Sequence, residues 1–375
     1  ILEKERKNMI HITLPDGSVR TFEQDVVTPM EVAKNISNGL AKKAIVAKVN
    51  DEMVGLNQPI SADATVSIYT FDDAEGRETF RHSTSHILAQ AVQKLFPGTK
   101  LGIGPAIKDG FYYDFDSEHK FTPADLELIE AEMMKIVQAD ETYTRQELSR
   151  EDAIKLFTEK NEPDKVELIN DLPEDAVISI YTQGDFTDLC AGPHLMNTKA
   201  IKAFKLISSS MAYWRGDSNK AQLQRIYGTA FTKKDELAAY LEHLEDIKRR
   251  DHNKLGREME LFATVDVIGQ GLPLLMPKGA KMIQTMQRWI EDLEDNEWGY
   301  VRTKTPLMAK SDLYKISGHW DHYKDGMFVL GDEEVDKEVF ALRPMTCPFQ
   351  YYVYKQSQKS YRDLPLKYNQ WCSVM

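Results

Sequence analysis

The alternation of apolar and polar positions predicts a small β-rich unit at residues 9–72. Two short strands joined by a Pro-Asp-Gly turn are predicted for HITLPDGSVRTF. A helix is predicted for TPMEVAKNI, with Thr28 as its N-cap and Pro29 in its first turn. Further strands are predicted for AIVAKVNDEMVGL and ATVSIYTF. The unit therefore combines strands and a helix within about sixty residues.

A helical period of apolar residues begins the second unit, which we place at residues 78–232. One helix with an apolar face is predicted for RHSTSHILAQAVQKLF, and it ends at Pro97. A second, capped helix is predicted for TPADLELIEAEMMKIVQ, and a strand leading into a polar loop for AVISIYTQGDFTDLC. Helices and strands in mixed order predict an α+β domain.

A long charged helix is predicted to connect this unit to a third one. It covers residues 233–258 and includes the segment KKDELAAYLEHLEDIKRRDHNKLG. The third unit then spans residues 259–375. A chain of 375 residues is long enough for several domains, each with its own core. The predicted fold class is therefore α+β and multidomain.

Composition narrows the class of protein only slightly. With 42% hydrophobic and 28% charged residues, the chain has no apolar run long enough to span a membrane. Its three cysteines, Cys190, Cys347 and Cys372, lie far apart, which favours a reducing cytoplasm over a disulfide framework. The net charge of −12 argues against indiscriminate nucleic-acid binding. A basic stretch between Lys199 and Arg225 fits either an RNA-facing patch or a solvated surface.

Two pairs of metal-capable residues stand out in the second unit. His82 and His86 are four residues apart on a predicted helix, so both side chains project from one side. Cys190 and His194 are also four apart, in a predicted loop. Four such groups could hold zinc, whose usual ligands are imidazole and thiolate. They could equally bind the amino group and ester of a small aminoacyl ligand and orient a water.

An ammonium and a carboxylate would complete the second kind of site. Lys165 and Asp188 are the nearby candidates for these two groups. The residue pattern alone favours a simpler interpretation of each, a solvated lysine and a turn-forming aspartate.

Longer motifs resemble those of the bacterial-type threonyl-tRNA synthetase family. The first unit resembles its ubiquitin-like β-grasp TGS domain. Five segments of the second unit resemble the family's editing domain in order and spacing: RHSTSHILAQA, GFYYDFD, TDLCAGPH, AYWRGDSN and QRIYGTAF. Three segments of the third unit resemble the start of the antiparallel-sheet class II catalytic domain: SGHWDHYKDGMF, LRPMTCP and SYRDLPLKY.

The resemblance implies a role for each candidate residue of the second unit. His82, His86, Cys190 and His194 correspond to the walls of the family's editing pocket. Lys165 and Asp188 correspond to residues that position the hydrolytic water, and Tyr113 corresponds to a pocket aromatic. This family's editing site is described as working without a metal, whereas the related alanyl-type domain holds zinc. We therefore expect water-mediated hydrolysis in preference to a zinc site.

The third unit carries the family's aminoacylation motifs in part. GYVRTKTPLM resembles motif 1, which forms the homodimer. Cys347 corresponds to the first ligand of the zinc that reads the amino acid, Met345 to a residue of the amino-acid pocket, and His319 to a residue near the terminal adenosine of the tRNA. The resemblance implies ATP and Mg²⁺ as substrate and cofactor. It also implies the tRNA for threonine, threonine and serine as partners.

The sequence departs from the family after SYRDLPLKYN, where it continues as QWCSVM. The motif 2 Arg, motif 3 and the other two zinc ligands are not among the 375 residues. We therefore expect a truncated cytoplasmic ligase that retains editing but shows no threonine-dependent pyrophosphate exchange. Two alternatives are a free-standing hydrolase that edits in trans and an RNA-binding or regulatory module built on the TGS domain. Both leave the third unit unexplained.

Overall fold

The computed structural model describes residues 9–218 and 220–371, so Cys372 lies outside the described residues. The chain divides into one compact unit that extends to Glu245 and a second that begins at Asp246. Both contain helices and mainly antiparallel sheets, so the α+β multidomain class is confirmed. Among the described helices, none is long and apolar enough to cross a membrane.

A five-stranded sheet forms the N-terminal part of the first unit. Its strands follow the order β2-β1-β5-β3-β4, and β1 and β5 are parallel while the other pairs are antiparallel. Thr28 caps the first helix as predicted, with its side chain accepting from the Glu31 backbone N–H. The elements are β1 Ile10–Thr13, β2 Val19–Phe22, α1 Pro29–Ile36, α2 Asn38–Lys43, β3 Ala44–Val49, β4 Glu52–Val54 and β5 Ala64–Thr70.

One long helix, α3, joins this sheet to the rest of the first unit. It spans Ala74–Leu95 and is buried along most of its length. Ile45 and Val46 of β3 belong to the same apolar cluster as Phe80, Ile87 and Leu88 of the helix. The N-terminal sheet and the region after it therefore share one hydrophobic core, which positions the face of α3 that bears the two histidines.

Two antiparallel sheets complete the first unit. The order in one sheet is β12-β13-β8-β6 with β7 beside β8, and in the other it is β11-β10-β9. The elements are β6 Lys100–Leu101, β7 Ala106–Ile107, β8 Gly110–Asp116, α4 Pro123–Ala139, β9 Thr144–Leu148, α5 Arg150–Glu159, α6 Pro163–Asp171, β10 Ile178–Gln183, β11 Phe186–Leu189, β12 Ala203–Tyr213 and β13 Gln222–Phe231.

The predicted connector is two helices rather than one. Helix α7 spans Lys234–Arg249, and α8 spans His252–Glu258. The Asp251 side chain accepts a hydrogen bond of 2.8 Å from the Lys254 backbone N–H. An aspartate that caps a new helix competes with continuation of the preceding one, which explains the break.

The compact unit that begins at Asp246 contains short strands around a small core. That core includes Tyr314, Trp320, Ala341 and Phe349. The elements after α8 are β14 Phe262–Ala263, β15 Leu274–Leu275, α9 Pro277–Asp292, β16 Val301–Arg302, β17 Met308–Lys310, α10 Ser311–Ile316, α11 His319–Tyr323, β18 Val329–Leu330, β19 Phe340–Leu342, α12 Cys347–Lys355 and β20 Tyr368–Asn369.

The start of α3 gives a test of the shared core. A Cβ atom at Gly76 would lie 1.8 Å from the Thr70 carbonyl oxygen, so Gly76→Ala must push the helix away from β5. We expect a loss of about 1–3 kcal/mol in the free energy of unfolding, measured by urea denaturation. Gly39→Ala in α2 is the control, because its Cβ would meet only the Ser37 hydroxyl at 3.8 Å. An unchanged stability of Gly76→Ala would contradict the tight packing.

Candidate functional site

Four metal-capable side chains converge in the compact unit that extends to Glu245. Helix α3 supplies His82 and His86, and the loop after β11 supplies Cys190 and His194. One ligand atom from each residue lies within 4.8 Å of the corresponding atom of every other. The structure thus brings together the two pairs that the i,i+4 spacing singled out.

The hydrogen bonds of His82 fix its tautomer. Its Nδ1 lies 3.0 Å from the Gly104 carbonyl oxygen, which can only accept, so Nδ1 carries the hydrogen. The Nε2 lone pair then faces the Cys190 sulfur at 3.0 Å. A side chain at Gly104 would collide with the Tyr113 ring, since its Cβ would lie 2.1 Å from that ring. The absence of a side chain there lets this carbonyl sit close to His82.

A serine that the sequence analysis did not identify orients His194. The Ser83 hydroxyl donates to the Thr79 carbonyl at 2.8 Å and accepts from the Leu195 backbone N–H at 3.0 Å. It lies 3.1 Å from His194 Nδ1, which must therefore donate to it. The Tyr143 ring stacks on His194 with centroids 4.9 Å apart. The only sequence signal for Ser83 is its place beside His82.

Burial keeps all four groups uncharged near neutral pH. It lowers the pKa of His82, and it lowers the pKa values of His86 and His194 well below the usual range. Burial also raises the pKa of the Cys190 thiol to about 12. The Gly192 backbone N–H donates to the Cys190 sulfur at 3.2 Å. The cluster is therefore three neutral imidazoles around one thiol.

An ion pair lies beside this cluster. Lys165 Nζ on α6 is 2.5 Å from Asp188 Oδ1 on β11, and each residue is only 2% exposed. Tyr113 on β8 donates to Asp188 Oδ2 at 2.5 Å and accepts from Lys165 Nζ at 3.2 Å. Asp188 Oδ2 is also 3.7 Å from His86 Nε2. The interpretation of Lys165 as a solvated lysine and Asp188 as a simple turn former is therefore wrong.

Burial and the adjacent Asp188 carboxylate raise the pKa of Tyr113 well above its usual range. Its phenol therefore stays protonated and serves as a fixed donor. Further hydrogen bonds help to offset the cost of a buried ion pair, and Tyr113 provides one to each partner here.

The cluster has a donor set that fits a zinc ion. Zinc bonds of about 2.0–2.1 Å to imidazole and 2.3 Å to sulfur place tetrahedral ligand atoms roughly 3.3–3.7 Å apart. The Cys190 sulfur lies 3.0 Å from His82 Nε2 and 3.3 Å from His194 Nε2, close to that spacing. The side chains also form a hydrogen-bonded set without an ion, so both interpretations of the site stay open at this point.

Of the four residues, His82 lines a surface cleft of about 380 Å³. Met53, from the N-terminal sheet, lines the same cleft, and so do Gly192 and Pro193 beside Cys190. The remaining lining residues are Glu75, Glu78, Thr79, Pro105 and Ala106. A ligand can therefore reach the cluster from this side and meets His82 first.

Glu162, which the sequence analysis did not identify, fixes the start of α6. Its carboxylate accepts from the Leu101 backbone N–H at 2.6 Å and from the Gln93 side-chain amide at 2.8 Å. Burial raises the pKa of Glu162 to about 7. Because α6 begins at Pro163, these contacts hold the helix turn that carries Lys165.

The candidates that lie between residues 259 and 375 are in a different environment. His319 Nε2 is 3.0 Å from Met345 Sδ, so these two predicted substrate-binding residues are in contact. Cys347 is exposed at the first position of α12. Within the described ranges, no group of three or more His, Cys, Asp or Glu that could hold a metal includes Cys347. The described residues do not make up the zinc site that the resemblance implies.

The basic stretch proves to be largely neutralised. Lys205 pairs with Glu130 at 2.9 Å, Lys220 pairs with Glu167 at 2.6 Å, and Arg225 pairs with Asp114. Arg215 and Lys199 also form ion pairs, with Asp171 and Asp140. These contacts favour the solvated-surface interpretation over an RNA-facing patch.

Comparison with known proteins gives two family matches. Residues 10–70 match the TGS domain. Residues 178–227 match the domain described as the threonyl and alanyl tRNA synthetase second additional domain. The second match contains Asp188, Cys190 and His194, which are three of the seven candidate editing-site residues.

Similar proteins cover almost the whole chain. It is 60% identical to a threonine–tRNA ligase of Clostridium botulinum (strain Eklund 17B / Type B) over 362 residues, which are 96% of this chain and 56% of that protein. It is 51% identical to a threonine–tRNA ligase of a Geobacillus species (strain WCH70) over 359 residues, 96% of this chain and 55% of that protein. The chain thus spans a little over half the length of these relatives. The resemblance inferred from the motifs is confirmed.

Among solved structures, the RNA-binding domain of threonyl-tRNA synthetase from Cryptosporidium parvum Iowa II matches with a TM-score of 0.30 and 31% identity. That match covers 32% of this chain and 29% of the other.

The pKa of Glu162 predicts a specific pH dependence of stability. The folded protein keeps the Glu162 proton up to about pH 7, whereas the unfolded chain loses it near pH 4.5. The contribution of Glu162 to stability is therefore largest below pH 4.5 and falls as the pH rises to 7. Glu162→Gln should remove this loss, so the free energy of unfolding of the parent chain should fall relative to the variant by up to about 3 kcal/mol.

Urea titrations between pH 4.5 and 8 measure this difference. Glu159→Gln is the matched control, because Glu159 is exposed at the end of α5, and its difference from the parent should not change with pH. A difference for Glu162→Gln that is equally independent of pH would contradict the raised pKa.

Proposed function

Because the chain is similar to threonine–tRNA ligases over 96% of its length, we propose that it carries the proofreading part of such a ligase. The observation that supports this most directly is the convergence of His82, His86, Cys190 and His194 beside the buried Lys165–Asp188 pair. The proposed activity is hydrolysis of seryl-tRNA formed in error on the tRNA for threonine. The unit at residues 78–232 would perform it.

A ligase specific for threonine needs such a second activity for a physical reason. Serine has the hydroxyl of threonine and lacks only one methyl group. A missing methyl lowers affinity by about 1–3 kcal/mol, or roughly 10–200-fold, which is too little for accurate translation. A pocket too small for the threonine methyl can then hydrolyse seryl-tRNA and leave threonyl-tRNA intact.

The proposed reaction is attack of water on the ester carbonyl carbon. His82 Nε2 is the base that accepts the proton of the attacking water, because this nitrogen carries no hydrogen and His82 lines the cleft, where the water would replace the Cys190 thiol as its partner. Lys165 and Asp188 orient that water, and Tyr113 holds both. The bond between the carbonyl carbon and the ribose oxygen then breaks. The proton passes to that oxygen, and the products are serine and the uncharged tRNA.

A zinc-dependent hydrolysis is the second candidate, and the spacing of the four ligand atoms favours it. In that case His82, His86, Cys190 and His194 would hold the ion, and the ion would supply an activated water. We place it second because the ion pair beside the cluster offers a way to orient water without a metal.

The parent ligase would attach threonine to its tRNA with ATP and Mg²⁺, in the cytoplasm. We propose that residues 9–72 form its TGS domain, that 233–258 form a connector and that 259–375 belong to its catalytic domain. In the full-length ligase His319 would lie near the end of the tRNA, Met345 would line the amino-acid pocket, and Cys347 would bind the zinc. Threonine-dependent exchange of pyrophosphate into ATP, measured on the full-length ligase, tests this assignment.

The first test of the editing proposal uses the 375-residue chain and two substrates. We expect rapid hydrolysis of seryl-tRNA and none of threonyl-tRNA. The release of labelled amino acid measures the hydrolysis. His82→Ala and Lys165→Ala should each slow hydrolysis by about 10²-fold, as loss of a positioned acid-base group does. His243→Ala is the control, because His243 is an exposed histidine on α7. Equal hydrolysis of both esters would contradict the proposed selectivity.

The same assay separates the two mechanisms. After dialysis against a strong chelator, with zinc content checked by atomic emission, the rate should be unchanged for water-mediated hydrolysis. A loss of rate that added zinc restores would instead establish the zinc mechanism. Because Lys165→Ala leaves the Asp188 charge buried without its partner, circular dichroism must first show that this variant is folded.

We also propose that the chain forms the homodimer that the resemblance implies, and a second test concerns this dimer. Helix α9 exposes four apolar side chains with helical spacing: Met282, Ile283, Met286 and Trp289. Such a stripe fits a self-complementary interface, and a second copy of the chain would cover it. We expect Trp289→Asp to weaken dimer formation at least tenfold in sedimentation experiments. Tyr361→Asp, also at an exposed aromatic of this unit, should not. If the 375-residue chain without substitutions stays monomeric at every concentration, the proposed dimer is wrong.

A further inference from the structure

A second cleft lies beside the one that leads to His82. It measures about 350 Å³ and shares Glu78 and Ala106 with the His82 cleft. Three cationic side chains line it, Arg77, Arg81 and Lys108, and we call it the basic cleft. Arg81 directly precedes His82 on α3, so the two clefts lie on adjacent parts of one helix.

Arg81 is an unusual residue because its charge is buried without a counterion. The side chain is part of a residue that is only 5% exposed, and it donates to the Lys108 carbonyl. Its Nε is buried and has no hydrogen-bond partner among the described residues. The aromatic rings of Phe71 and Phe231 lie 5.9 and 5.7 Å from the guanidinium carbon. A buried guanidinium without a carboxylate partner is costly, and an anion in the cleft would offset its charge.

Of the other two cations, one is held by backbone carbonyls and one is exposed to solvent. Arg77 donates to the backbone carbonyls of Phe71 and Asp72, and Lys108 is exposed. In the part of the chain that the structure describes, neither Arg77, Arg81 nor Lys108 forms an ion pair with a carboxylate. Burial lowers the pKa of Arg81, and the charge of Asp109 opposes this shift only in part.

The charges of the two clefts are opposite in sign. The His82 cleft is lined by Glu75 and Glu78 and by no lysine or arginine. The basic cleft sets three cations against Glu78 alone. A ligand that fits both clefts therefore carries a cationic group at one end and an anionic group next to it. An aminoacyl ester of a nucleotide has this form, with an ammonium on the amino acid and a phosphate on the ribose.

We infer that Arg77, Arg81 and Lys108 bind the phosphodiester closest to the 3′ end of the aminoacyl-tRNA substrate. This inference rests on the proposed function, because it needs the aminoacyl ester to lie at His82. An arginine matches phosphate oxygens with two parallel N–H donors, and two arginines, Arg77 and Arg81, line the basic cleft. The basic cleft then holds the terminal nucleotide in register while the ester enters the acidic cleft.

The test compares two ligands that differ only in the phosphate. Both are 3′-seryl-3′-aminoadenosine, in which an amide replaces the ester and resists hydrolysis. One has a free 5′-hydroxyl and the other carries a 5′-phosphate methyl diester. Calorimetry with the 375-residue chain should show about tenfold or tighter binding of the diester. This preference should decrease as salt is raised.

Lys108 is exposed and Arg77 is half-buried, so both can be changed while the buried Arg81 is kept. Arg77→Gln combined with Lys108→Gln should reduce the preference for the diester to about twofold or less. Lys120→Gln, at an exposed lysine outside the cleft, should keep the full preference. Arg81→Lys, which keeps the charge but loses the second donor, should give an intermediate preference.

Three outcomes would overturn the inference. Equal binding of the two ligands to the parent chain would show that no phosphate subsite exists, while the proposed editing function could still hold. Inorganic phosphate that binds as tightly as the diester, and is lost in the double variant, would make the cleft a phosphate site unrelated to the nucleotide. Failure of both ligands to bind, together with no hydrolysis of seryl-tRNA, would remove the proposed function itself.

Discussion

The buried ion pair between Lys165 and Asp188 is the contact on which the rest of the site depends. Removing two charges from water costs several kcal/mol for each ion, and only good geometry and further hydrogen bonds offset that cost. Here the Tyr113 hydroxyl contacts both partners. The pair also joins α6 to β11, whose Ile169 and Leu189 pack in the same apolar cluster. Glu162 anchors the start of α6, so the same short segment carries both its attachment to the fold and its catalytic candidate.

This pair contrasts with the cluster next to it. His82, His86, Cys190 and His194 are all held uncharged by burial, whereas Lys165 and Asp188 meet as an ion pair at 2.5 Å. The gap between the two groups is small, since His86 Nε2 lies 3.7 Å from Asp188 Oδ2. A neutral wall beside a fixed dipole suits a reaction in which charge develops on an ester, because fixed groups do not need to reorganise.

Local spacing predicted part of this arrangement from the sequence. The pairing of His82 with His86 follows from helix geometry, and the capping of α1 by Thr28 follows from side-chain chemistry. Burial of Lys165 does not follow from any local pattern, because its partner Tyr113 lies 52 residues away on another element. The same holds for Glu162 and for Ser83, whose contacts are set by tertiary packing. Motif resemblance supplied Lys165 and Asp188 where spacing could not.

Helix α3 has a consequence for how such a protein could be assembled from parts. Its first turn packs on the Thr70 carbonyl of β5, its Phe80 lies in a core shared with β3, and the next turns carry His82 and His86. A recombination boundary placed near residue 78, where the sequence pattern changes, would fall inside this helix. The reactive histidines would then lose the sheet against which their own helix is packed. Residues 9–72 and 78–232 are therefore distinct as sequence modules, but they share one core and would have to be exchanged together.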